Sequence, residues 1–247
     1  MSLRVFPSLF NRAQRYIGCR PVLFMCARKS IHVHAASESP IRPATSVAVG
    51  SRWERIKARL KWQFVTQEET RIGSVFIYES CVDKVDYRTF FSYFKLQDTF
   101  LSWFLVVELH VWMCMTRAMA ELDDRRALCL QHELPRNLWN DTEKRIGKIG
   151  YMPTKLKRES LADLSDHFNA MLLLYDEGLQ GDDKALASAL WRVFLMCEGR
   201  DPVALETLVH YVRKQIHMLD NMTLDQFIAE HSISWTPLLD CESKKLY

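Results

Sequence analysis

The sequence is poor in glycine, with 8 among 247 residues, and none of them falls in a loop pattern that holds phosphate. Neither GxGxxG nor GxxxxGK[ST] occurs, which excludes the Rossmann and P-loop cradles. The GxSxG nucleophile turn is also missing. His132-Glu133 is followed by Leu134, Pro135 and Arg136 rather than by the spacing of HExxH, and there is no Glu-x-x-His step from which to build a ferritin-like di-iron site. Cysteines stand at 19, 26, 81, 114, 129, 197 and 241 without a CxxC spacing, so neither a zinc ribbon nor a disulfide framework is expected, and a reducing compartment fits best.

Acid is missing from the N-terminus. Residues 1 to 37 contain Arg4, Arg12, Arg15, Arg20, Arg28 and Lys29 and no Asp or Glu. Interleaved arginines and apolar residues of this kind compose a mitochondrial transit peptide, whereas the arginines break every apolar run long enough for a secretory signal. The expected organisation is a leader over 1–45, a folded helical body over 51–238 and an irregular tail over 239–247. Without the six leader cations, 27 basic residues face 30 acidic ones, so the formal charge of +3 becomes −3. A mildly acidic body carries no general DNA-binding charge.

What is present is helical periodicity. From Asp86 to Met119 the chain is apolar enough to organise everything else. Tyr87, Phe90, Phe91 and Phe94 share one helical face. Asp98 is read as the N-cap of a second helix, in which apolar residues fill nearly every position from Phe100 to Met115. That run is shorter than the ~20 residues a bilayer requires, and Glu108 and His110 interrupt it, so a buried central helix is expected. The fold class that follows is all-α, a compact domain of about seven to nine helices around that central one.

Other segments support this class. Ser51 to Thr66 is a basic amphipathic helix, with Trp53, Ile56, Leu60 and Phe64 on one side and Arg52, Arg55, Lys57, Arg59 and Lys61 around the rest. Thr70 to Asp83 favours helix despite the β-prone run Val75 to Tyr78. Pro135 is expected to break the stretch Leu122 to Asn140. Lys144, Arg145, Lys148, Lys155, Lys157 and Arg158 lie in a stretch read as a connection because of its two glycines and Pro153. Ser160 with Asp163 suggests a capping box, and Gly178 a C-cap. Leu190, Trp191 and Phe194 are read as inward-facing residues of the next helix. Asp201-Pro202 opens another helix, and Thr223 with Gln226 a short capped one. The end from Ser234 is read as irregular. Glu206 and His210 read as a surface pair.

Glu108 and His110 are the titratable groups with the most apolar neighbours. Two residues apart on one helix, they point in roughly opposite directions and cannot act on one substrate together. His110 and Cys114 could share a metal, but no third or fourth ligand is identifiable. No catalytic residue, metal or cofactor is expected.

The run DTFLSWFLVVELHVWM from Asp98 to Met113, preceded by FF, resembles the signature of the ubiquinol-cytochrome c chaperone family. Further matches follow in order: YDEG at Tyr175 to Gly178, ALWRVF at Ala189 to Phe194, the Asp201-Pro202 opening, LVHYVRKQIHMLDNM at Leu208 to Met222 and SWTPL at Ser234 to Leu238. The likeness spans roughly Arg52 to Leu238 and departs most between Leu122 and Arg158, where Trp139 alone aligns. It implies a non-enzymatic assembly chaperone of respiratory complex III, mitochondrial and peripheral on the matrix side of the inner membrane. Its implied partners are a small assembly factor, newly made cytochrome b and the mitochondrial ribosome near the tunnel exit. Candidate partner or client contacts are Phe90, Phe91, Phe94, Trp103, Glu108, His110, Trp112, Tyr175, Asp176 and Glu177. The two basic segments are candidates for ribosome or membrane contact. The competing expectation is an enzyme of quinone or haem metabolism with Glu108 or His110 at the centre of a closed pocket.

Overall fold

A computed structural model describes residues 52–121, 124–150, 152–198, 201–229 and 233–241, with the side chains of 52–66 and 241 outside the description. The leader expected over 1–45 lies outside the described residues. Eight α-helices and no strand occur among those that are described: α1 (Arg52–Asp83), α2 (Tyr87–Tyr93), α3 (Phe100–Met119), α4 (Arg125–Lys148), α5 (Thr154–Gln180), α6 (Asp183–Val193), α7 (Pro202–Asp220) and α8 (Leu224–Ile228). The all-α expectation holds, and so does the central helix. Residues 104 to 114 of α3 are all buried, and α1, α4 and α7 pack around it, with α2 against its start.

The helix starts follow capping chemistry with one correction. The N-cap of α3 is Thr99, whose side chain accepts from the Ser102 N–H, not Asp98. Asp201 accepts from Val203 and Ala204 ahead of Pro202, and Thr223 with Gln226 closes a full capping box, both as the sequence implied.

Five other expectations fail. Pro135 lies inside the continuous 24-residue helix α4. A proline inside a helix costs about 3 kcal/mol, and the stripe Ala127, Leu130, Leu134, Leu138, Thr142 and Ile146, buried along the same helix, outweighs it. Lys144, Arg145 and Lys148 are therefore helical, as are Lys155, Lys157 and Arg158 in the first turns of α5, and the connection shrinks to residues 149–153. Ser160 caps nothing, because α5 starts at Thr154 and Ser160 is buried within it. Gly178 is likewise interior to α5, which ends at Gln180 with Gly181 as its C-cap. Its role is close approach to α6: a Cβ there would stand 3.0 Å from both the Leu186 Cα and the Ala189 Cβ. On α6, Leu190 is buried but Trp191 is exposed, while Phe194, just past the helix end, is wholly buried.

Residues 233–237 are irregular, as expected, yet they are held against the body. Ile233 and Leu238 are buried, the Trp235 indole donates to the Ser80 carbonyl at 2.9 Å, and Gln215 donates to the Thr236 carbonyl at 3.1 Å. A short 3-10 turn, Leu238–Cys241, then packs on α7. At the C-terminal end of α7, the buried Arg117 side chain donates to the Leu219 and Met222 carbonyls, supplying donors and positive charge where a helix presents orphan carbonyls.

Gly178→Val should destabilise the protein by about 1 to 3 kcal/mol through overpacking against the α6 backbone, read as a lower urea midpoint. Gly147→Ala, at a position with nothing within 4 Å of an added Cβ, should not.

Candidate functional site

The polar chemistry of the interior hangs from α3. His110 is completely buried, with Nδ1 at 2.7 Å from the Val106 carbonyl and Nε2 at 2.7 Å from the Tyr211 hydroxyl. A carbonyl can only accept, so Nδ1 carries the proton, and in a neutral ring Nε2 is then the acceptor for the Tyr211 O–H. Burial holds the ring neutral, lowering its pKa from 6.5 to about 4. Trp235 stands edge-on to the same ring with centroids 4.5 Å apart, and Phe90 packs at 5.6 Å. With both nitrogens engaged, the imidazole has no lone pair left for an iron or a substrate.

Glu108 faces away from His110, as the two-residue spacing required. One carboxylate oxygen lies 2.8 Å from His167 Nε2, and both side chains are buried. Burial pushes the Glu108 carboxyl up, while the same carboxylate, against the desolvation of the ring, pushes His167 up. The pair shares one proton and stays neutral overall whichever partner holds it. Oε2 of Glu108 and the hydroxyl of Tyr175 are both buried without a hydrogen-bond partner, and the carboxylate is near enough to raise the Tyr175 phenol further above its desolvated value. Alongside, the Trp112 indole donates to Asp176 at 2.8 Å and packs on the Tyr175 ring at 4.9 Å. The YDEG stretch therefore joins α5 to α3 through Tyr175 and Asp176, with Glu177 exposed and Gly178 against α6.

The candidate contact residues divide. Phe90, Phe94, Glu108, His110, Trp112 and Tyr175 are buried, so in this state they shape the core rather than face a partner. Phe90 and Phe94 close on Phe194 at 6.2 and 5.4 Å. Phe91, Trp103 and Asp176 are half-buried and Glu177 is exposed. Trp103 carries the Arg145 guanidinium 4.3 Å above its ring. Arg145 also binds Asp141 at 2.8 Å. Lys144, Lys148 and Arg158 are exposed, Lys157 reaches Glu143 at 3.4 Å, and Lys155 reaches Glu159 at 3.9 Å. The side chains of Arg52, Arg55, Lys57, Arg59 and Lys61 lie outside the description. Cys114 faces Cys81 at 3.8 Å rather than His110, and among the described residues no group of three or more His, Cys, Asp or Glu could hold a metal. The Glu206–His210 pair is on the surface at 3.7 Å.

Sequence reasoning missed three contributors: His167, Tyr211 and Trp235. Each lies far from α3 in the chain, His167 by 59 residues and Tyr211 by 101 from the group it meets. The available signal was the inward phase of His167 and Tyr211 within their apolar stripes.

The family model described as "Ubiquinol-cytochrome C chaperone" matches residues 92–235. The chain belongs to this family. The matched span begins in α2 and ends at Trp235, so it contains the His110–Tyr211, Glu108–His167 and Trp112–Asp176 contacts of α3. Among relatives, "Ubiquinol-cytochrome c reductase complex assembly factor 1" of Drosophila melanogaster is 38% identical over 204 residues, covering 81% of this chain and 79% of the relative. The Homo sapiens protein of the same name is 40% identical over 170 residues, covering 69% of this chain but 56% of its own length. "Protein CBP3, mitochondrial" of Saccharomyces cerevisiae is 29% identical over 140 residues, covering 56% and 42%. A crystal structure of the Cbp3 homolog from Brucella abortus superposes with a TM-score of 0.57 over 74% of this chain and 97% of that one, at 22% identity, which establishes likeness of fold.

Between pH 6.5 and about 4 the unfolded chain binds a proton at His110 that the folded chain excludes. The stability this contributes is intact above pH 6.5 and is lost as pH falls toward the lower value, by about 3 kcal/mol in all. Urea midpoints measured from pH 7.5 down to 4.5 should fall less steeply for His110→Gln than for the parent. Tyr211→Phe, which strands the Nε2 lone pair, should cost about 1 to 3 kcal/mol at pH 7.5.

Proposed function

We propose that this chain is an assembly chaperone for mitochondrial respiratory complex III, holding newly made cytochrome b together with a small partner assembly factor until the subunit enters the complex. The observation that carries the reading is the family match over residues 92–235, joined to relatives named as assembly factors of the ubiquinol-cytochrome c reductase complex. The proposed location is the matrix side of the inner membrane, near the ribosomal tunnel exit, with peripheral attachment. No helix among the described residues is long and apolar enough to cross a membrane, which is compatible with that attachment.

The reading assigns contact to side chains that solvent reaches. Phe91 and Trp103 offer aromatic surface at the α2 and α3 end, and Asp176 and Glu177 offer acid on α5. The buried aromatic residues set the positions of these helices. An enzymatic reading built on His110 is disfavoured by its geometry, since both ring nitrogens are engaged within the core, and one oxygen of Glu108 is likewise held by His167.

Capture of the tagged protein from mitochondria in gentle detergent, after pulse labelling of organellar translation, should recover labelled cytochrome b and a small partner. Deleting the protein should lower assembled complex III and leave quinone and haem levels intact. Loss of either cofactor with complex III assembly preserved would overturn the proposal in favour of the enzyme.

A further inference from the structure

The two basic segments, alike in composition, stand at opposite ends of the molecule. Helix α1 runs parallel to α4: Asn137 donates to Ser74 and Tyr78 to Asp141, and both contacts join residues 63 apart. At that register Lys61 is level with Asp124, just before α4 begins at Arg125. The stretch Arg52 to Lys61 therefore continues α1 beyond the start of α4, for about 14 Å at 1.5 Å per residue. Lys144 and Lys148 lie toward the other end of α4, about 30 and about 36 Å from the level of Lys61 on the same rise. Either distance is several times the ~8 Å Debye length at physiological salt, so the two segments form separate electrostatic sites.

The site at the α4–α5 corner has features the helices do not need for themselves. Cations at the end of α4 complement its dipole, but Lys155, Lys157 and Arg158 crowd the beginning of α5. That end has no acid in its first turn and no side-chain cap, so positive charge opposes the helix dipole there. Lys144, Lys148 and Arg158 have no ion-pair partner among the described residues. Two apolar side chains that water reaches belong to the same corner: Leu156, between Lys155 and Lys157 in the chain, is 42% exposed, and Trp103 is half-buried under Arg145. Cations rimming an interfacial tryptophan and an exposed leucine form the combination that suits a bilayer surface, where headgroups take the charge and the acyl boundary takes the apolar groups. A nucleic acid would use the cations and a stacking ring but leave Leu156 in water.

We propose that the α4–α5 corner, built from Lys144, Lys148, Lys155, Arg158, Trp103 and Leu156, docks the protein on an anionic phospholipid bilayer, and that the Arg52–Lys61 end of α1 points away from that surface. The inference rests on the peripheral attachment proposed above and specifies the face that makes it.

The test is sedimentation of the protein, as it accumulates in mitochondria, with vesicles of phosphatidylcholine alone or mixed with phosphatidylglycerol. The parent should bind the mixed vesicles and not the neutral ones. Lys148→Glu with Arg158→Glu should weaken binding at least tenfold, whereas Arg55→Glu with Arg59→Glu should leave it within twofold. Brominated acyl chains should quench tryptophan fluorescence in the parent, and Trp103→Phe should remove most of that quenching. A parent that binds no anionic vesicle overturns both the attachment and the corner. A parent that binds while the Lys148/Arg158 variant binds equally well overturns the corner alone. So does a variant that keeps its vesicle binding and loses affinity for ribosomal RNA, since that would make the corner a nucleic-acid surface.

Discussion

A helix buried all round through its central turns draws its polar side chains into contacts inside the protein, and α3 imposes that constraint on the rest of the fold. Glu108 and His110 each cost several kcal/mol to bury unpaired, so each fixes a partner from another helix. His110 selects Tyr211 on α7, and Glu108 selects His167 on α5. Trp112 adds Asp176, and Arg117 reaches the end of α7. The core thus receives its specificity from a few directional contacts set among apolar packing that by itself has little directional preference.

The aromatic residues complete this arrangement by covering what the polar contacts leave. Phe90 lies over both members of the His110–Tyr211 pair, at 5.6 and 5.3 Å, and Trp235 closes the imidazole from the C-terminal side. Exclusion of water from this cluster is what holds His110 neutral and makes its hydrogen bonds strong. Together these contacts keep α2, α5, α7 and the C-terminal strap in fixed relation to α3.

Much of this was legible in the chain. The apolar run Phe100 to Met115 has no polar stripe, and that alone identifies a central helix; Asp201-Pro202 and Thr223 with Gln226 identify their helix starts by local chemistry. The opposite directions of Glu108 and His110 follow from helix geometry. What was not legible depends on tertiary contacts. Pro135 obeys a local rule that forbids it, and the buried stripe from Ala127 to Ile146 overrides the rule. Trp191 has the periodicity of an inward residue but lies outside because α6 is covered on one side only. Phe90 and Phe94 have the size of interface anchors, and their burial depends on Phe194, about a hundred residues along the chain. The strap from Ile233 to Leu238 has no periodicity to announce it, since its contacts go to α1, α3 and α7.

The parallel pairing of α1 with α4 also bears on the order in which the molecule can assemble. Parallel neighbours cannot be joined by a short turn, so the contacts of Ser74 and Tyr78 await residues 63 positions later in the chain, and the Trp235 bond to Ser80 closes across 155. In a chain that emerges N-terminus first, α1 is made early and completed last. Until α3 and α4 have followed it, Cys81 and Tyr78 lack the contacts that cover them, which gives this chain a high-contact-order element to protect while it folds.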